Sequence, residues 1–134
     1  MKNLCSALVA LACLSSAALA ADPRGDWLVA DRSAVIRISS CGTALCGVIA
    51  WAREPGRDEH NPDRSKRNAS IVGVSILQGM KPSAAGRWDG TIYNPQNGKT
   101  YKGHLILKSA DVLRIEGCVL GGIFCGGEDW TRSK

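Results

Sequence analysis

The sequence lacks the patterns on which many enzyme classes depend. It has only two histidines, His60 and His104, and no G-x-S-x-G segment, the turn that presents the nucleophile in one large class of serine hydrolases. The tripeptide GKT at 98–100 resembles the end of a phosphate-binding loop, but the glycine needed five positions earlier is Tyr93. The acidic residues of the 53–70 segment show no second, opposed carboxylate of the kind a glycosidase needs. We therefore expect no enzymatic activity and no cofactor.

The chain also lacks an uninterrupted apolar run of about 20 residues, the length of a membrane-spanning helix. Its first apolar run follows Lys2, is broken by serines at 15–16, and leads to the small residues Ala-Leu-Ala at 18–20. This is the pattern of a signal peptide cleaved after Ala20. A lipoprotein modified at Cys13 is the alternative, but the residues before it match a lipobox poorly. We predict a periplasmic or secreted protein with no integral membrane span.

Residues 21–134 then form the predicted domain. They carry 16 basic and 12 acidic side chains, a net charge of +4 spread along the chain. A chain of this size makes one domain. Because no basic stripe stands out, the charge indicates a solvated surface, and we expect no nucleic-acid partner.

Four cysteines remain in this domain: Cys41, Cys46, Cys118 and Cys125. In an exported chain an even number of cysteines indicates disulfides, and three pairings are open. Each close pair brackets a turn-like segment, so we predict the local disulfides 41–46 and 118–125. Zinc is the competing use, but these are not the usual ligand spacings, and no histidine lies close to either pair in sequence.

Short segments of alternating apolar and polar residues, separated by turn formers, predict strands throughout the domain. No segment has a sustained helical stripe, and Asn97-Gly98 favours a hairpin turn. Eight sequential antiparallel strands leave two exposed edges unless the sheet closes, so we predict an all-β fold, a single small up-and-down barrel. The predicted strands are 26–30, 34–39, 45–52, 71–79, 87–93, 100–108, 112–118 and 125–132.

One connection is much longer than the others. Residues 53–70 are rich in charge and turn formers, and loops of this length are usually functional or disordered. Successive connections of an up-and-down barrel alternate between its two ends, so this loop shares an end with 31–33, 94–98 and 118–125. The 41–46 hairpin lies at the other end. We therefore expect the long loop to be a lid over the barrel mouth.

The two-residue alternation also predicts the interior of the barrel. A barrel of eight strands has room for one small ligand at most, and its side chains can also fill it as an ordinary core. Both outcomes stay open at this point. The residues predicted to point inward are Ile36, Ile38, Ile49, Trp51, Val74, Ile76, Trp88, Ile92, Tyr101, Leu105, Leu113 and Ile115.

The two ends of the domain resemble the calycin pattern. Gly25-x-Trp27 begins the first predicted strand, and Arg132 ends the last. In calycins this tryptophan closes the base of the barrel and a late arginine packs across its indole, a cation–π contact worth about 0.5 to 2 kcal/mol. The resemblance gives Trp27 and Arg132 structural roles.

A closer resemblance covers nearly the whole domain. The chain resembles the exported bacterial family called domain of unknown function 2147, whose members have a lipocalin-like barrel and no activity established for the family as a whole. Two departures put ligand contacts in doubt: Asn94 replaces a common aspartate, and 126–128 replaces a polar stretch that often contains Arg and Gln. The matching residues are Cys41, 45–47, Ile49, Trp51, Asp58, 61–62, Arg67, Gly73, 76–77, Gly79, Trp88, Gly90, 92–93, Pro95, 98–99, Tyr101, 117–118 and 130–132.

These observations predict a lipocalin-like protein that binds a small, partly apolar, lipid-like molecule in the barrel mouth. The alternative is an envelope interaction module with a solid core, which docks a protein or an anionic polymer through the 53–70 loop. Asp58, His60 and Asp63 could form a cluster for a hard metal ion, but a flexible polar loop gives the same residues, so we predict no metal. The oligomeric state stays open. The predicted ligand-binding residues are Trp51, Asp58, Asn61, Arg67, Trp88, Tyr93 and Tyr101.

Overall fold

The computed structural model describes residue 10, residues 21–119 and residues 123–133. The predicted leader, apart from residue 10, lies outside these ranges, as do residues 120–122, which include the glycines of the predicted 118–125 connection, and residue 134. Within them, alternating segments form eight strands, and the single helical segment is a short 3₁₀ turn, Arg64–Lys66. The strands are β1 Gly25–Leu28, β2 Ala34–Cys41, β3 Ala44–Ala52, β4 Ser75–Ala84, β5 Arg87–Asn94, β6 Lys99–Leu107, β7 Val112–Val119 and β8 Phe124–Arg132.

The sheet closes on itself, as predicted. Each strand pairs with the next in antiparallel fashion, and β1 also pairs with β8 through Trp27 opposite Arg132 and Leu28 opposite Thr131. Closure leaves neither β1 nor β8 as an exposed edge. The all-β, eight-stranded barrel predicted from the sequence is therefore confirmed.

The fourth strand differs from its predicted bounds of 71–79. Val74 N–H donates to the carbonyl of Ile71, and Gly73 has a φ of +99°, so a turn occupies 71–74. At the other end β4 continues through Pro82, where a turn was predicted. Pro82 lies next to a register irregularity, a position at which a missing N–H is tolerated.

Two β-bulges shift the side-chain alternation. On β3, Val35 lies opposite Trp51 and Ile36 opposite Ile49, so Ala50 is an extra residue. On β4, Gly47 lies opposite Leu77 and Val48 opposite Ser75, so Ile76 is extra. Because a bulge reverses the face that later residues point to, both Ile76 and Leu77 are buried.

The closed end of the barrel is sealed by Trp27, which is fully buried. Its indole N–H donates to the carbonyl of Pro23 at 2.8 Å, and the guanidinium of Arg132 lies 4.2 Å from the ring centroid. Arg132 also donates to the carbonyls of residues 22, 24 and 110. Gly25 has a φ of +123°, and a Cβ there would lie 2.9 Å from the guanidinium. Arg132 therefore lies across the indole of Trp27, as the resemblance to calycins implies.

The apolar core fills the barrel interior from this closed end toward the mouth. Most of the predicted inward residues are buried, and Leu77 and Met80 join them because of the irregular register of β4. The buried apolar side chains are Trp27, Ile36, Ile38, Ile49, Ile76, Leu77, Met80, Tyr93, Leu105, Leu113, Ile115 and Trp130.

Both predicted disulfides are present, Cys41–Cys46 and Cys118–Cys125. Each lies within one hairpin, so neither joins distant parts of the chain. Disulfides are typical of proteins outside the reducing cytosol and are therefore consistent with export. Among the residues that the structure describes, no helix has the length and apolar character to cross a membrane.

Candidate functional site

The odd-numbered connections gather at one end of the barrel, which we call the mouth. Arg53, where the long loop begins, donates from its guanidinium to the carbonyl of Asp31 at 2.7 Å. At the turn between β5 and β6, a Cβ on Gly98 would overlap the carbonyl oxygen of His60. The long loop therefore contacts two of the three connections with which it was predicted to share an end.

A cavity of about 550 Å³, open to solvent, extends into the barrel from the mouth, and we call it the interior cavity. Its apolar wall comes from six strands, whereas Leu77, Leu105 and Leu113 are fully buried and do not line it. Most of these wall side chains are themselves buried, so the cavity opens above a packed core. The apolar wall consists of Ile36, Ile49, Ile76, Ile92, Ile115 and Trp130.

Of the predicted binding residues, Tyr101 lines this interior cavity, and Tyr93 borders both this cavity and the loop cavity described below. The hydroxyl of Tyr101 accepts a hydrogen bond from the side-chain amide of Asn97 at 2.9 Å, which holds the ring at the mouth end. Gly117 and Gly126 lie opposite each other on β7 and β8 and leave space that side chains would fill. The sequence thus predicts part of the wall correctly.

Glu128 is a cavity residue that the sequence reasoning missed. It lies directly opposite Ile115 on β7, and residues opposite each other in a sheet share a face. Its carboxylate accepts the indole N–H of Trp130 at 2.7 Å, and it lines the interior cavity. The two-residue alternation back from Trp130 would have placed it on the inner face.

The long loop does not lie across the interior cavity. None of the residues described as lining that cavity belongs to 53–70. Instead the loop covers a second cavity of about 500 Å³, the loop cavity, lined by polar side chains including Asn61, Lys66, Ser75 and Gln78. Asp58, Asn61 and Arg67, predicted as polar contacts at the mouth, therefore do not line the interior cavity.

The loop is attached to the barrel through a buried carboxylate. Asp58 is only 2% exposed, and its two oxygens accept hydrogen bonds from the Tyr93 hydroxyl at 2.7 Å and the Asn61 amide at 2.8 Å. Tyr93 follows the inward-pointing Ile92 and so points to the outer face, where the loop buries it. Burial, and then the hydrogen bond and charge of Asp58, raise the pKa of Tyr93 to about 12.

The predicted binding residues of the loop therefore have other surroundings than expected. Asp58 and Asn61 line the loop cavity. Arg67 is exposed, lines neither cavity, and donates from Nε to the carbonyl of Asn61 at 2.7 Å. A buried carboxylate needs hydrogen-bond donors, and Tyr93 on the outer face of β5 supplies one, which explains why the loop packs there.

Two tryptophans predicted as ligand contacts line neither cavity. Trp51 is 48% exposed because the bulge at Ala50 reverses its direction, so its predicted inward orientation is wrong. Trp88 packs against the core opposite Leu105, close to the turn between β4 and β5 at the closed end. The predicted inward orientation of Trp88 is correct, but its side chain lies nearer the closed end than the cavity does.

Asp58, His60 and Asp63 do not come together as a cluster that could bind a hard metal ion. Asp63 accepts from the backbone N–H and the hydroxyl of Ser65 at the start of the 3₁₀ turn, which lowers its pKa. Within the described residues, the one group with metal-ligand character is His104 with Cys118 and Cys125. Both sulfurs of this group are bonded to each other in the disulfide, which leaves His104 without sulfur ligands.

His104 itself is only half-buried on the outer face of β6. Its Nδ1 lies 2.7 Å from a carboxylate oxygen of Asp89, which also accepts from Arg87. Burial raises the pKa of Asp89, but the hydrogen bonds from Arg87, His104 and Ser83 outweigh it and lower that pKa overall. This surface group explains the placement of His104 without a catalytic role.

Comparisons with known proteins agree with this architecture. The model of a family described as an uncharacterized protein conserved in bacteria (DUF2147) matches residues 25–132. A similar solved structure is protein HP1028 from Helicobacter pylori, described as belonging to the lipocalin family, with a TM-score of 0.76, 18% identity and 84% of each chain covered. At this identity the likeness shows the fold alone. No curated protein matches the chain.

Proposed function

We propose, because this chain belongs to the DUF2147 family and folds as a lipocalin-like barrel, that it is an exported binding protein for a small, partly apolar molecule. The periplasm or the extracellular space is its proposed location. The ligand would lie in the interior cavity, and the protein would hold it without chemical change.

The observation that carries this proposal is the difference between the two ends of the barrel. The closed end is filled and sealed by Trp27 and Arg132, whereas the mouth end holds a cavity of about 550 Å³ with an isoleucine-rich wall. A cavity of this size is within the range of small-molecule sites, and burial of an apolar ligand surface there is favourable by roughly 25 cal/mol per Å².

Native mass spectrometry of protein purified from its own host tests the proposal directly. A retained small molecule of partly apolar character is the expected result. A mass without ligand, together with failure to bind the neutral apolar fluorophore N-phenylnaphthylamine, would contradict it.

Filling the cavity is the second test. Gly126 has no positive φ, and a Cβ there would meet no atom within 4 Å, so Gly126→Phe projects a ring into the interior cavity without backbone strain. We expect binding of N-phenylnaphthylamine to weaken by about tenfold or more. Gly56→Phe is the matched control, because Gly56 also has open space and lines neither cavity. Equal binding by both variants would contradict the interior site.

The docking module remains a second candidate because of the 3₁₀ turn in the long loop. Arg64, Lys66 and Arg67 are exposed there on a loop that the Asp58–Tyr93 hydrogen bond attaches to the barrel. This basic group suits an anionic polymer of the cell envelope. Retention on immobilised anionic polymer that is lost when these three residues become glutamine, with no ligand in the cavity, would favour this candidate.

A further inference from the structure

The charged side chains at the interior cavity are all of one sign. Asp31 and Glu128 line it, and the residues described as lining it include no lysine, arginine or histidine. The chain as a whole has the opposite sign, with a formal net charge of +5. An acidic cavity in a basic protein is a local property of the mouth and does not follow from overall composition.

Asp31 is the weaker of the two acidic groups as a ligand contact. Its carboxylate accepts from the backbone N–H of Ser33 at 3.0 Å, and hydrogen bonding by Ser33, with a smaller effect of Arg53, lowers its pKa. Arg53 donates to the carbonyl of Asp31, so a cation already lies near this carboxylate. Its charge is therefore partly balanced within the protein.

Glu128 has no such balance among the described residues. The ion pairs of the described chain do not include it, and its hydrogen-bond donor is the neutral indole of Trp130. Arg114, which precedes Ile115 on β7, pairs with Glu116 and Asp129. Glu128 thus presents an unpaired carboxylate beside the apolar wall formed by Ile115 and Trp130.

We infer that the ligand is a cationic amphiphile, whose apolar part lies against the isoleucine wall and whose ammonium-type group binds Glu128 at the mouth. The inference rests on the proposed function, since it assigns a chemical class to the same cavity. An anionic amphiphile such as a fatty acid would bring a second negative charge next to Glu128 and Asp31. A cation there gains a charge-assisted hydrogen bond that an anion cannot make.

Competition between matched ligands tests the inference. N-phenylnaphthylamine is first bound to the full chain, and dodecylamine or dodecanoate is then added below its micelle concentration. We expect dodecylamine to displace the fluorophore at about fivefold or more lower concentration than dodecanoate. Equal displacement, or stronger displacement by dodecanoate, overturns the inference while the binding function stands. Absence of fluorophore binding, together with a native mass without ligand, overturns both.

The residue assignment is tested with Glu128→Gln. Glutamine keeps an oxygen that can accept the Trp130 indole N–H, so the fold is retained while the charge is removed. We expect affinity for dodecylamine to fall by about fivefold or more and affinity for N-phenylnaphthylamine to be unchanged. Glu54→Gln is the control, since it changes the net charge equally and lines neither cavity. Equal losses in both variants would show general surface attraction and overturn the assignment.

Discussion

The hydrogen bond between Tyr93 and Asp58 joins the long loop to the barrel and is almost fully buried. Removal of one partner leaves a buried carboxylate oxygen without its donor, which costs more than the bond itself contributes. The free energy of unfolding should therefore be sensitive to single atoms at this contact.

Tyr93→Phe is expected to lower the free energy of unfolding by about 1 to 3 kcal/mol, because Asp58 loses a donor that water cannot easily replace. Urea unfolding of the variant and of the original chain measures the difference. Tyr101→Phe is the control, since its hydroxyl bonds to the exposed Asn97 amide and its loss should cost under about 1 kcal/mol. Equal losses would contradict the assigned role of Asp58.

The raised pKa of Tyr93 predicts a pH dependence of stability. The folded chain keeps the phenol protonated up to a pKa of about 12, whereas the unfolded chain releases that proton near its ordinary pKa of 10. The stabilising contribution is thus complete below pH 10 and is lost as the pH rises toward 12. Between pH 10 and pH 12 the free energy of unfolding should fall more for the original chain than for Tyr93→Phe. Parallel plots of unfolding free energy against pH would contradict the assignment.

At the scale of elements, the bulged strand β4 depends on a small partner. A Cβ on Gly90 of β5 would lie 2.6 Å from the carbonyl oxygen of Gln78 and 2.8 Å from that of Gly79. These are backbone atoms, so β4 would have to move as a unit to make room. The irregular register of β4 and the glycine in β5 are therefore coupled.

Gly90→Ala should lower the free energy of unfolding by about 1 to 3 kcal/mol through this overpacking. Thermal unfolding followed by circular dichroism measures the change. Gly126→Ala serves as the control, because it adds the same methyl group to a strand where no atom lies within 4 Å. A loss for Gly126→Ala as large as that for Gly90→Ala would show that clash is not the cause.

The disulfides act on single hairpins. Each closes a loop of only a few residues, so the chain-entropy contribution to stability is about 2 kcal/mol per disulfide. Substitution of Cys41 and Cys46 by serine should therefore lower the unfolding midpoint while the far-ultraviolet spectrum of the barrel remains. Loss of the folded spectrum at room temperature would show that this disulfide is needed for the fold.

For the whole molecule, closure of the barrel depends on contacts between the first and last strands. Arg132→Lys keeps the charge but loses the planar stacking on Trp27 and part of the three carbonyl contacts. We expect a loss of about 1 to 3 kcal/mol in unfolding free energy, without change in ligand affinity at the opposite end. Arg37→Lys, which changes an exposed ion pair with Asp26, should cost under about 1 kcal/mol. Similar losses in both would contradict the closure role.

Much of this architecture follows from the sequence because it depends on local rules. Alternation gives the strands, sequential order gives the sorting of connections between the two ends, and close spacing gives the disulfides. The bulges at Ala50 and Ile76 do not follow from these rules, since one extra residue leaves the composition of a strand unchanged but reverses a side chain such as Trp51.

The candidate site is less predictable from the sequence, because part of it depends on contacts between residues that are distant in the chain. Whether Asp58 turns into the barrel or onto its outer wall depends on which donor is nearby, and Tyr93 is separated from it by 35 positions in sequence. Glu128 follows from the alternation rule, since it lies two residues before Trp130, which lines the same cavity. A tertiary contact determines where Asp58 points, whereas the local alternation of β8 determines where Glu128 points.

The position of the long loop bears on how cargo would be exchanged. Because the loop is attached to the outer wall of the barrel, a ligand would enter and leave through a single opening. The described residues of the loop would not have to move during this exchange. The residence time of the ligand would then be set by its affinity and not by the rate at which the loop opens. Across a series of ligands, dissociation rates measured by stopped flow should therefore increase as affinity decreases.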